Sequence, residues 1–270
     1  MRAALIDSGQ HSWRIVHLEA VDSTNEEARR RAVAGDPGRL WIVADTQLRG
    51  RGRLGRSWIS PKGNLYATAL LVDPCPTAAA PQLGFVAGVA LARAAGDLGA
   101  DARLKWPNDL IQGDGKCAGL LVEGVLNPDR SMACAVGIGV NCASAPKDLP
   151  YSATILTGRS GERIYPGDLL ERLAERFEEA IAGWDAGRGF ASIRSEWLSR
   201  AAGLGRRVRI AGAAGDREGV FEGLDASGRL LFRGESGVET IESGDLWLSP
   251  AAHGPPQEKA AAWVTGSLNG

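Results

Sequence analysis

The stretch Gly50-Arg51-Gly52-Arg53-Leu54-Gly55-Arg56-Ser57-Trp58 places three glycines and three arginines in seven residues and then ends in a tryptophan. Glycine lets a backbone approach a ligand closely, and arginine offers a planar, permanently charged fork that matches phosphate and carboxylate oxygens. We therefore expect a loop that becomes ordered over an anion. The same composition is also typical of a solvated basic turn or a small nucleic-acid patch, and this stretch alone does not separate the two interpretations.

The composition of the whole chain limits which partners this basic loop can serve. The chain has 270 residues, enough for one large domain or one large and one small, and its formal net charge is −1. Bulk attraction to nucleic acid or to an acidic membrane is therefore not expected. The four cysteines form no C-x-x-C pair and the three histidines do not cluster near them, which argues against zinc and favours reduced thiols in a cytoplasmic protein.

No segment of the sequence predicts a leader or a membrane span. The N-terminal apolar run, residues 3–6, is too short for the core of a signal peptide. The longest apolar run, residues 83–95, is interrupted by Gly88 and Arg93 and falls short of transmembrane length.

The residues before the loop predict a strand, a helix and a second strand. Residues 13–18 alternate as in a strand, and Ser23 to Glu26 fits a capping box that would start a helix ending near Gly35. Helix capping by itself accounts for Ser23, although Thr24 and Asn25 would also suit a small polar group or an anion at a helix N-terminus. The apolar strand 40–44 then leads through Gln47 into the loop.

Two further polar stretches follow the loop. Strand 65–72 and a buried helix over 81–98 lead to Lys105-Trp106-Pro107-Asn108-Asp109, where a turn carries several functional side chains. After a hairpin turn, Lys116 opens an apolar strand that contains Gly119; it could be an edge-strand charge or a fixed cation beside a bound ligand. The strand over 132–140 contains Gly137 and Gly139, which indicate a bulge or a close approach.

The C-terminal part of the chain predicts a helical segment and a small β unit. Residues 166–184 form an amphipathic helix whose core face is Leu169, Leu170, Leu173, Phe177, Ile181 and Trp184, and a shorter helix follows over 190–200. Short alternating runs between 203 and 248 predict a small all-β barrel. Residues 250–270 have little periodicity, and we expect a disordered tail there.

These motifs, in this order, resemble those of the biotin protein ligase family. Residues 23–25 are similar to its S-T-N, 50–56 to its G-R-G-R-x-G-R loop, 105–109 to K-W-P-N-D, 116–123 to K-x-A-G-[IL]-L-V-E, and 137–141 to G-[IL]-G-[IV]-N. Leu54 stands where some members have another arginine, which we treat as tolerated. The resemblance implies an α+β fold with three parts: a catalytic domain of mixed β-sheet and packed helices over 1–202, of the class II synthetase-like type; an SH3-like β-barrel over 203–249; and the tail.

The activity that the resemblance implies has two steps. Biotin and ATP, with Mg²⁺, give biotinyl-5′-adenylate and pyrophosphate, and a lysine of a biotin carboxyl carrier protein then displaces AMP. The resemblance places Lys116, Arg51 and Arg53 at the reacting groups, and it assigns biotin binding to those three together with Ser23, Thr24, Asn25, Gln47, Gly52 and Gly119. It assigns the nucleotide to Arg51, Arg56, Trp58, Lys105, Asn108, Asp109 and Asn141, and it leaves the metal ligands and a homodimer open.

Two other functions remain as alternatives. A lipoate ligase would share the fold and chemistry but would lack the arginine loop and the K-W-P-N-D motif. A non-catalytic nucleic-acid binder is disfavoured because the net charge is close to zero and no aromatic and basic sheet pattern is present. Because the sequence before Val21 is too short for a helix-turn-helix domain, we expect no sequence-specific DNA binding.

Overall fold

The computed structural model describes residues 2–6, 13–127, 131–212 and 215–248. The described chain divides into two compact units. The larger contains the residues up to Leu104 and those from Asn108 to Arg200, whereas the smaller contains Lys105–Pro107 and the residues from Ala201 onward. The division between the units therefore falls inside the Lys105–Asp109 motif.

The larger unit is built on one eight-stranded mixed sheet with helices packed against it, as the sequence predicted. The strands are β1 (Arg2–Ile6), β2 (Trp13–Val21), β3 (Leu40–Gln47), β4 (Leu65–Val72), β5 (Arg103–Lys105), β6 (Asp109–Gln112), β7 (Gly115–Leu126) and β8 (Met132–Val140). Their order in the sheet is β1-β2-β3-β4-β8-β7-β6-β5. Strands β2 and β3 are parallel, whereas β3 to β4, β4 to β8, β8 to β7 and β7 to β6 are antiparallel.

Four helices complete this unit: α1 (Thr24–Val33), α2 (Leu83–Asp97), α3 (Pro166–Trp184) and α4 (Phe190–Ser199). The bounds of α3 match the prediction, although Leu170 and Ile181 are only half-buried on its core face. A 3-10 turn, Thr77–Gln82, precedes α2. Contrary to the sequence expectation, the stretch Thr77–Asp97 is long and apolar enough to cross a membrane by composition, but 61% of its most apolar window is buried inside the protein, as in a core helix.

An aromatic cluster, Trp13, Trp41 and Phe177, fills the space between the sheet and α3. The ring centroids lie 5.3–5.7 Å apart, within the range in which aromatic pairs attract beyond simple burial. All three side chains are almost fully buried. The alternation of β-strand side chains puts Trp41 on this face and its neighbour Ile42 on the other.

Helix α1 packs on the opposite face of the sheet. Ala28 and Ala32 lie on its buried stripe and pack against a cluster of strand residues that includes Leu40, Ile42 and Leu70. Nearer its N-terminus the same stripe carries Thr24 and Asn25. On β4, Thr68 shares a face with Leu70, so the apolar packing changes to polar packing at the first turn of α1.

The smaller unit is a five-stranded antiparallel sheet. Its strands are β9 (Arg207–Gly212), β10 (Gly215–Leu224), β11 (Leu230–Gly234), β12 (Gly237–Ile241) and β13 (Asp245–Leu248), in the order β12-β11-β10-β9-β13. This small antiparallel sheet is consistent with the predicted SH3-like fold, although the sequence did not predict β13. Trp106 belongs to this unit: it is 2% exposed and its Nε1 donates to the Gly228 carbonyl. The predicted tail, residues 250–270, lies outside the described residues.

Candidate active site

Ser23 occupies the N-cap position of α1 but does not cap the helix with its side chain. Its backbone N–H donates instead to Asp22 Oδ1 at 2.8 Å, and Arg30 holds both oxygens of that carboxylate at 2.8 Å. The Arg30 hydrogen bond holds the pKa of Asp22 well below its usual range. The predicted capping box is therefore wrong in its bonds, because Glu26 pairs with Arg29 and Arg51. The buried Ser23 hydroxyl remains beside the start of the helix.

A chain of hydrogen bonds runs from α1 to the far end of the loop. The backbone N–H and the hydroxyl of Thr24 both donate to Gln47 Oε1, at 2.8 and 3.1 Å. Gln47 Nε2 donates to the Ser60 hydroxyl at 3.1 Å, and that hydroxyl donates to the Trp58 carbonyl at 2.9 Å. Gln47 thus connects the first turn of α1 to the segment that ends the loop.

The amide of Asn25 is buried and bonded at both of its ends. The Thr68 hydroxyl lies 2.7 Å from Asn25 Oδ1, and Asn25 Nδ2 donates to Glu123 Oε2 at 2.8 Å. A side chain at Gly137 would begin 2.3 Å from Asn25 Oδ1, so only glycine leaves space for this amide. The close approach predicted for Gly137 is thereby observed, and the approaching group is a side chain of the protein.

The arginine loop forms a short hairpin. Arg51 and Ser57 make an antiparallel bridge, and the Trp58 backbone N–H donates to the Gly50 carbonyl at 2.9 Å. A Cβ at Gly50 would lie 2.3 Å from the Trp58 carbonyl oxygen, so this position requires glycine. At the tip, Leu54 has a φ of 56° and its side chain is 77% exposed.

Two arginines of the loop contact the sheet or α1. Arg51 NH2 lies 2.7 Å from Glu26 Oε1 and 2.9 Å from Glu123 Oε2. The Arg29 hydrogen bond and the charge of Arg51 lower the pKa of Glu26. Arg53 NH1 donates to Asn108 Oδ1 at 3.2 Å, and Asn108 Nδ2 donates in turn to the Leu120 carbonyl. Arg56 is exposed.

Lys116 lies on an interior strand and not at a sheet edge, because β7 pairs with both β6 and β8. Its ammonium is 2.6 Å from Asp109 Oδ1 and 5.5 Å from the ring centroids of Trp58 and Tyr151. Only 18% of its side chain is exposed. The edge-charge interpretation is therefore wrong, and Lys116 is a cation held between a carboxylate and two aromatic faces.

The ring of Trp58 lies against a surface made of glycine. A Cβ at Gly119 would lie 3.1 Å from this ring, and one at Gly139 would lie 2.5 Å from its Nε1. These two glycines thus admit the indole to the surface of β7 and β8. A small open depression lies beside it, lined in part by Trp58, Lys116, Asn141 and Tyr151.

Two of the remaining predicted residues, Asn141 and Lys105, have other surroundings. Asn141 is buried, and its Nδ2 donates to the Thr154 carbonyl, so its side chain secures the segment that follows. Lys105 belongs to the smaller unit, where its ammonium lies 5.8 Å from the ring of Trp247. Within the larger unit the structure gathers these predicted residues: Ser23, Thr24, Asn25, Gln47, Arg51, Gly52, Arg53, Trp58, Asn108, Asp109, Lys116, Gly119 and Asn141.

Several residues of this cluster were not predicted individually. Thr68 is fully buried and hydrogen bonded, and a threonine in the middle of an otherwise apolar strand was a signal that could have identified it. Glu26 and Glu123 became visible only through their shared contact with Arg51. No sequence pattern pointed to Tyr151.

Comparison with known proteins identifies the fold that carries this cluster. The model of the biotin/lipoate A/B protein ligase family matches residues 18–141, and that of the biotin protein ligase C-terminal domain matches residues 203–246. A biotin–[acetyl-CoA-carboxylase] ligase of Paracoccus denitrificans is 41% identical over 86% of this chain and 99% of its own length. This chain belongs to the biotin protein ligase family.

Solved structures of the family agree with this assignment. A biotin protein ligase from Aquifex aeolicus, in complex with biotin and ATP, has a TM-score of 0.72 and 31% identity over 86% of this chain and 97% of its own. A biotin protein ligase from Leishmania major, in complex with biotinyl-5-AMP, has a TM-score of 0.58 and 26% identity over 85% of this chain and 98% of its own. The region matched by the ligase family model contains every candidate residue from Ser23 to Asn141.

Proposed function

We propose that this chain is an ATP-dependent biotin protein ligase that makes biotinyl-5′-AMP and then transfers biotin to a lysine of a carrier protein. The observation that carries the proposal is the close packing of three features in one unit: the buried polar residues of α1 and β3, the cation of Lys116 and the arginine loop. Membership in the biotin protein ligase family indicates the reaction that these three features would carry out together.

The polar residues around the start of α1 would hold the ureido end of biotin. Ser23, Thr24, Asn25 and Gln47 offer both donors and acceptors, which a cyclic urea with two N–H groups and one carbonyl requires. Three of these side chains are already fixed by hydrogen bonds, so little conformational entropy is lost when the ligand binds. Gly52 would leave space for the ligand beside the backbone. Gly119 would contribute by letting Trp58 and Lys116 lie close to the sheet surface.

The first step joins two anions, so the site must concentrate positive charge. The biotin carboxylate oxygen attacks the α-phosphorus of ATP, the bond to the β-phosphate oxygen breaks, and pyrophosphate leaves. Lys116, Arg51 and Arg53 would stabilise the charge that builds up on the phosphate oxygens. The ammonium of Lys116 has three donors, so it can keep Asp109 and still bind an oxygen of the ligand.

The nucleotide would lie on the loop side of the cluster. We propose that Trp58 covers the adenylate, that Arg56 and Asn108 contact its phosphate or ribose, and that Asp109 orients Lys116. Asn141 would act by holding the segment it bonds. The nucleotide-binding role that the resemblance implies for Lys105 stays a prediction. The described residues contain no group of three metal-ligating side chains, so Mg²⁺ would enter with the phosphates of ATP, as magnesium commonly does.

The second step needs no nucleophile from this chain. The neutral amine of the carrier lysine attacks the acyl carbonyl of the adenylate, an amide forms, the acyl–phosphate bond breaks, and AMP leaves as the amine loses its proton. The carrier would be a biotin carboxyl carrier protein. We propose a cytoplasmic location, because all four cysteines are free thiols.

Biotin-dependent exchange of pyrophosphate into ATP tests the proposal. We expect biotin to support exchange far better than lipoate, because the polar residues around Asn25 suit a ureido group and a dithiolane has none. Equal rates with the two acids would point to a lipoate ligase or a ligase without this specificity. Absence of exchange with either acid would exclude the adenylation chemistry.

A further inference from the structure

One oxygen atom of Glu123 joins the predicted biotin-binding residues to the arginine loop. Glu123 Oε2 accepts from Asn25 Nδ2 at 2.8 Å and from Arg51 NH2 at 2.9 Å. We infer that Glu123 is a positioning residue that orients both the Asn25 amide and the Arg51 guanidinium. This inference rests on the proposed function.

The bond to Asn25 decides which way round that amide points. Thr68 donates to its oxygen, and Glu123 accepts from its nitrogen. A flipped amide would place its oxygen against the Glu123 carboxylate, where two acceptors would repel each other. Because Asn25 is 5% exposed, water cannot easily replace a lost partner. The Leu121 carbonyl also accepts from Asn25 Nδ2, at the longer distance of 3.3 Å. Glu123, together with Thr68 and this carbonyl, therefore fixes the donor and acceptor pattern that Asn25 presents to a ligand.

The bond to Arg51 fixes the guanidinium while leaving most of its donors available. Both carboxylates, Glu26 and Glu123, contact the same nitrogen, NH2. Within the described part of the chain, Nε and NH1 make no hydrogen bond, which leaves three N–H donors for an anion. Glu123 thus holds the loop without occupying the part of Arg51 that would bind a carboxylate or a phosphate.

The sheet makes Glu123 a rigid support for both partners. It lies within β7 and pairs with Ala135 of β8, so its backbone is held in the sheet along that side. Glu26 provides a comparison, because its carboxylate contacts the same nitrogen of Arg51 from α1 and makes no hydrogen bond to the Asn25 amide in the described part of the chain. Changes at Glu26 therefore disturb the loop and the Arg29 pair on α1, whereas changes at Glu123 disturb the loop and the amide.

Three variants separate the two bonds. Glu123→Gln keeps an acceptor for Asn25 but removes the charge that holds Arg51, and Glu123→Ala removes both. Glu26→Gln removes the charge near Arg51 and Arg29 and leaves the bond between Glu123 and Asn25 in place. By calorimetry without ATP, we expect Glu123→Ala to bind biotin about tenfold more weakly, which corresponds to ~1.4 kcal/mol, while the two glutamine variants stay within about twofold of the parent. Unfolding midpoints confirm that each variant is folded.

The rate of trypsin cleavage within the loop tests the bond between Glu123 and Arg51, and no ligand is needed. Arg51, Arg53 and Arg56 are natural cleavage sites, and we expect both glutamine variants to be cut there severalfold faster than the parent. Unchanged biotin affinity of Glu123→Ala overturns the link to Asn25, and unchanged cleavage of Glu123→Gln overturns the link to Arg51. A parent protein that binds no biotin refutes the proposed function, and with it the biotin part of this inference, whereas the cleavage comparison still decides the loop contact.

Discussion

Two buried clusters lie on opposite faces of the same sheet, and they are stabilised in different ways. The aromatic cluster beneath α3 consists of Trp13, Trp41 and Phe177, which touch through ring faces and edges. The polar cluster beneath the first turn of α1 consists of Thr24, Asn25 and Thr68, which touch through hydrogen bonds of 2.7 and 2.8 Å. Both exclude water to a similar degree.

The comparison shows that burial alone does not distinguish a stabilising core from a site. Removing atoms from the aromatic cluster leaves a cavity. Removing a polar group from the polar cluster leaves a buried hydrogen-bonding group without its partner. Helix α1 contains both kinds of packing on one stripe, with Thr24 and Asn25 in the first turn and Ala28 and Ala32 after it. We therefore expect changes in the aromatic cluster to affect stability, and changes in the polar cluster to affect ligand binding as well.

The largest effect on stability is expected for Phe177→Ala. This change leaves a cavity between α3 and the two tryptophans, and it should lower the free energy of unfolding by ~3–5 kcal/mol in urea titrations. The fraction that remains folded should bind biotin with an affinity within about twofold of the parent, a factor that corresponds to less than ~0.5 kcal/mol. A loss of biotin affinity at temperatures where the variant is fully folded would show that the two faces are not independent.

Lys116→Ala should produce the largest effect on activity. Loss of a preorganised cation costs ~3–4 kcal/mol of transition-state stabilisation, so pyrophosphate exchange should fall by roughly 10²–10³. Because Asp109 loses its ion-pair partner, the unfolding midpoint should also fall, and exchange is compared at a temperature where the variant is folded. Lys62→Ala is the matched control, because Lys62 is exposed and makes no ion pair with the described residues. Near-normal exchange by a folded Lys116→Ala protein would remove Lys116 from the reaction.

A smaller effect on both properties is expected for Thr68→Val. The substitution keeps the shape of the side chain but leaves Asn25 Oδ1 without its buried donor, and it removes the hydroxyl that lies 2.8 Å from Thr24 Oγ1. We expect a loss of ~1–3 kcal/mol in the free energy of unfolding, together with weaker biotin binding. Thr240→Val, at an exposed position of β12, should change neither quantity. If Thr68→Val changed the free energy of unfolding and the biotin affinity as little as this control does, the Thr68 hydroxyl would contribute no more to either quantity than an exposed hydroxyl.

The smallest effect is expected from the partly exposed pair of Glu26 and Arg51. The pKa of Glu26 is lowered in the folded protein, so its contribution to stability is complete above the ordinary glutamate value of about 4.5 and is lost as the pH falls through the lowered value. The stability difference between the parent and Glu26→Gln should therefore be present at pH 7 and shrink below pH 4.5. Glu19→Gln, which alters a carboxylate with no ion pair to the described residues, should show no such dependence. A difference that does not change with pH would separate the stability contribution of Glu26 from its contacts with Arg29 and Arg51.

Much of the fold could be predicted because its signals are local. The bounds of α3, β4 and β8 follow from apolar periodicity and from the residues that interrupt it. The smaller unit could be predicted as all-β, but β13 could not, because Asp245–Leu248 is only four residues long and alternates too briefly to be recognised.

The site was predictable in its residues but not in its bonds. The motifs identified Ser23, Arg51 and Lys116, yet the local capping pattern at Ser23 failed because Glu26 pairs with Arg51 and Arg29 instead of returning to the N-cap. The partners of Arg51 come from α1 and β7, which lie far apart in the chain. Such pairings depend on the sheet topology, and no short-range pattern encodes them.

The division between the two units has a consequence for how this protein could be cut or recombined. The family model for the C-terminal domain begins at residue 203. The compact unit seen in the structure also contains three residues from the middle of the chain, Lys105–Pro107. A gene fragment that ends at Arg200 would keep Trp106 and lose Gly228, the carbonyl that accepts its indole N–H. The C-terminal domain therefore cannot be replaced independently of the rest of the chain. A domain taken from a relative must provide a surface that accommodates Trp106, or Trp106 must be substituted as well.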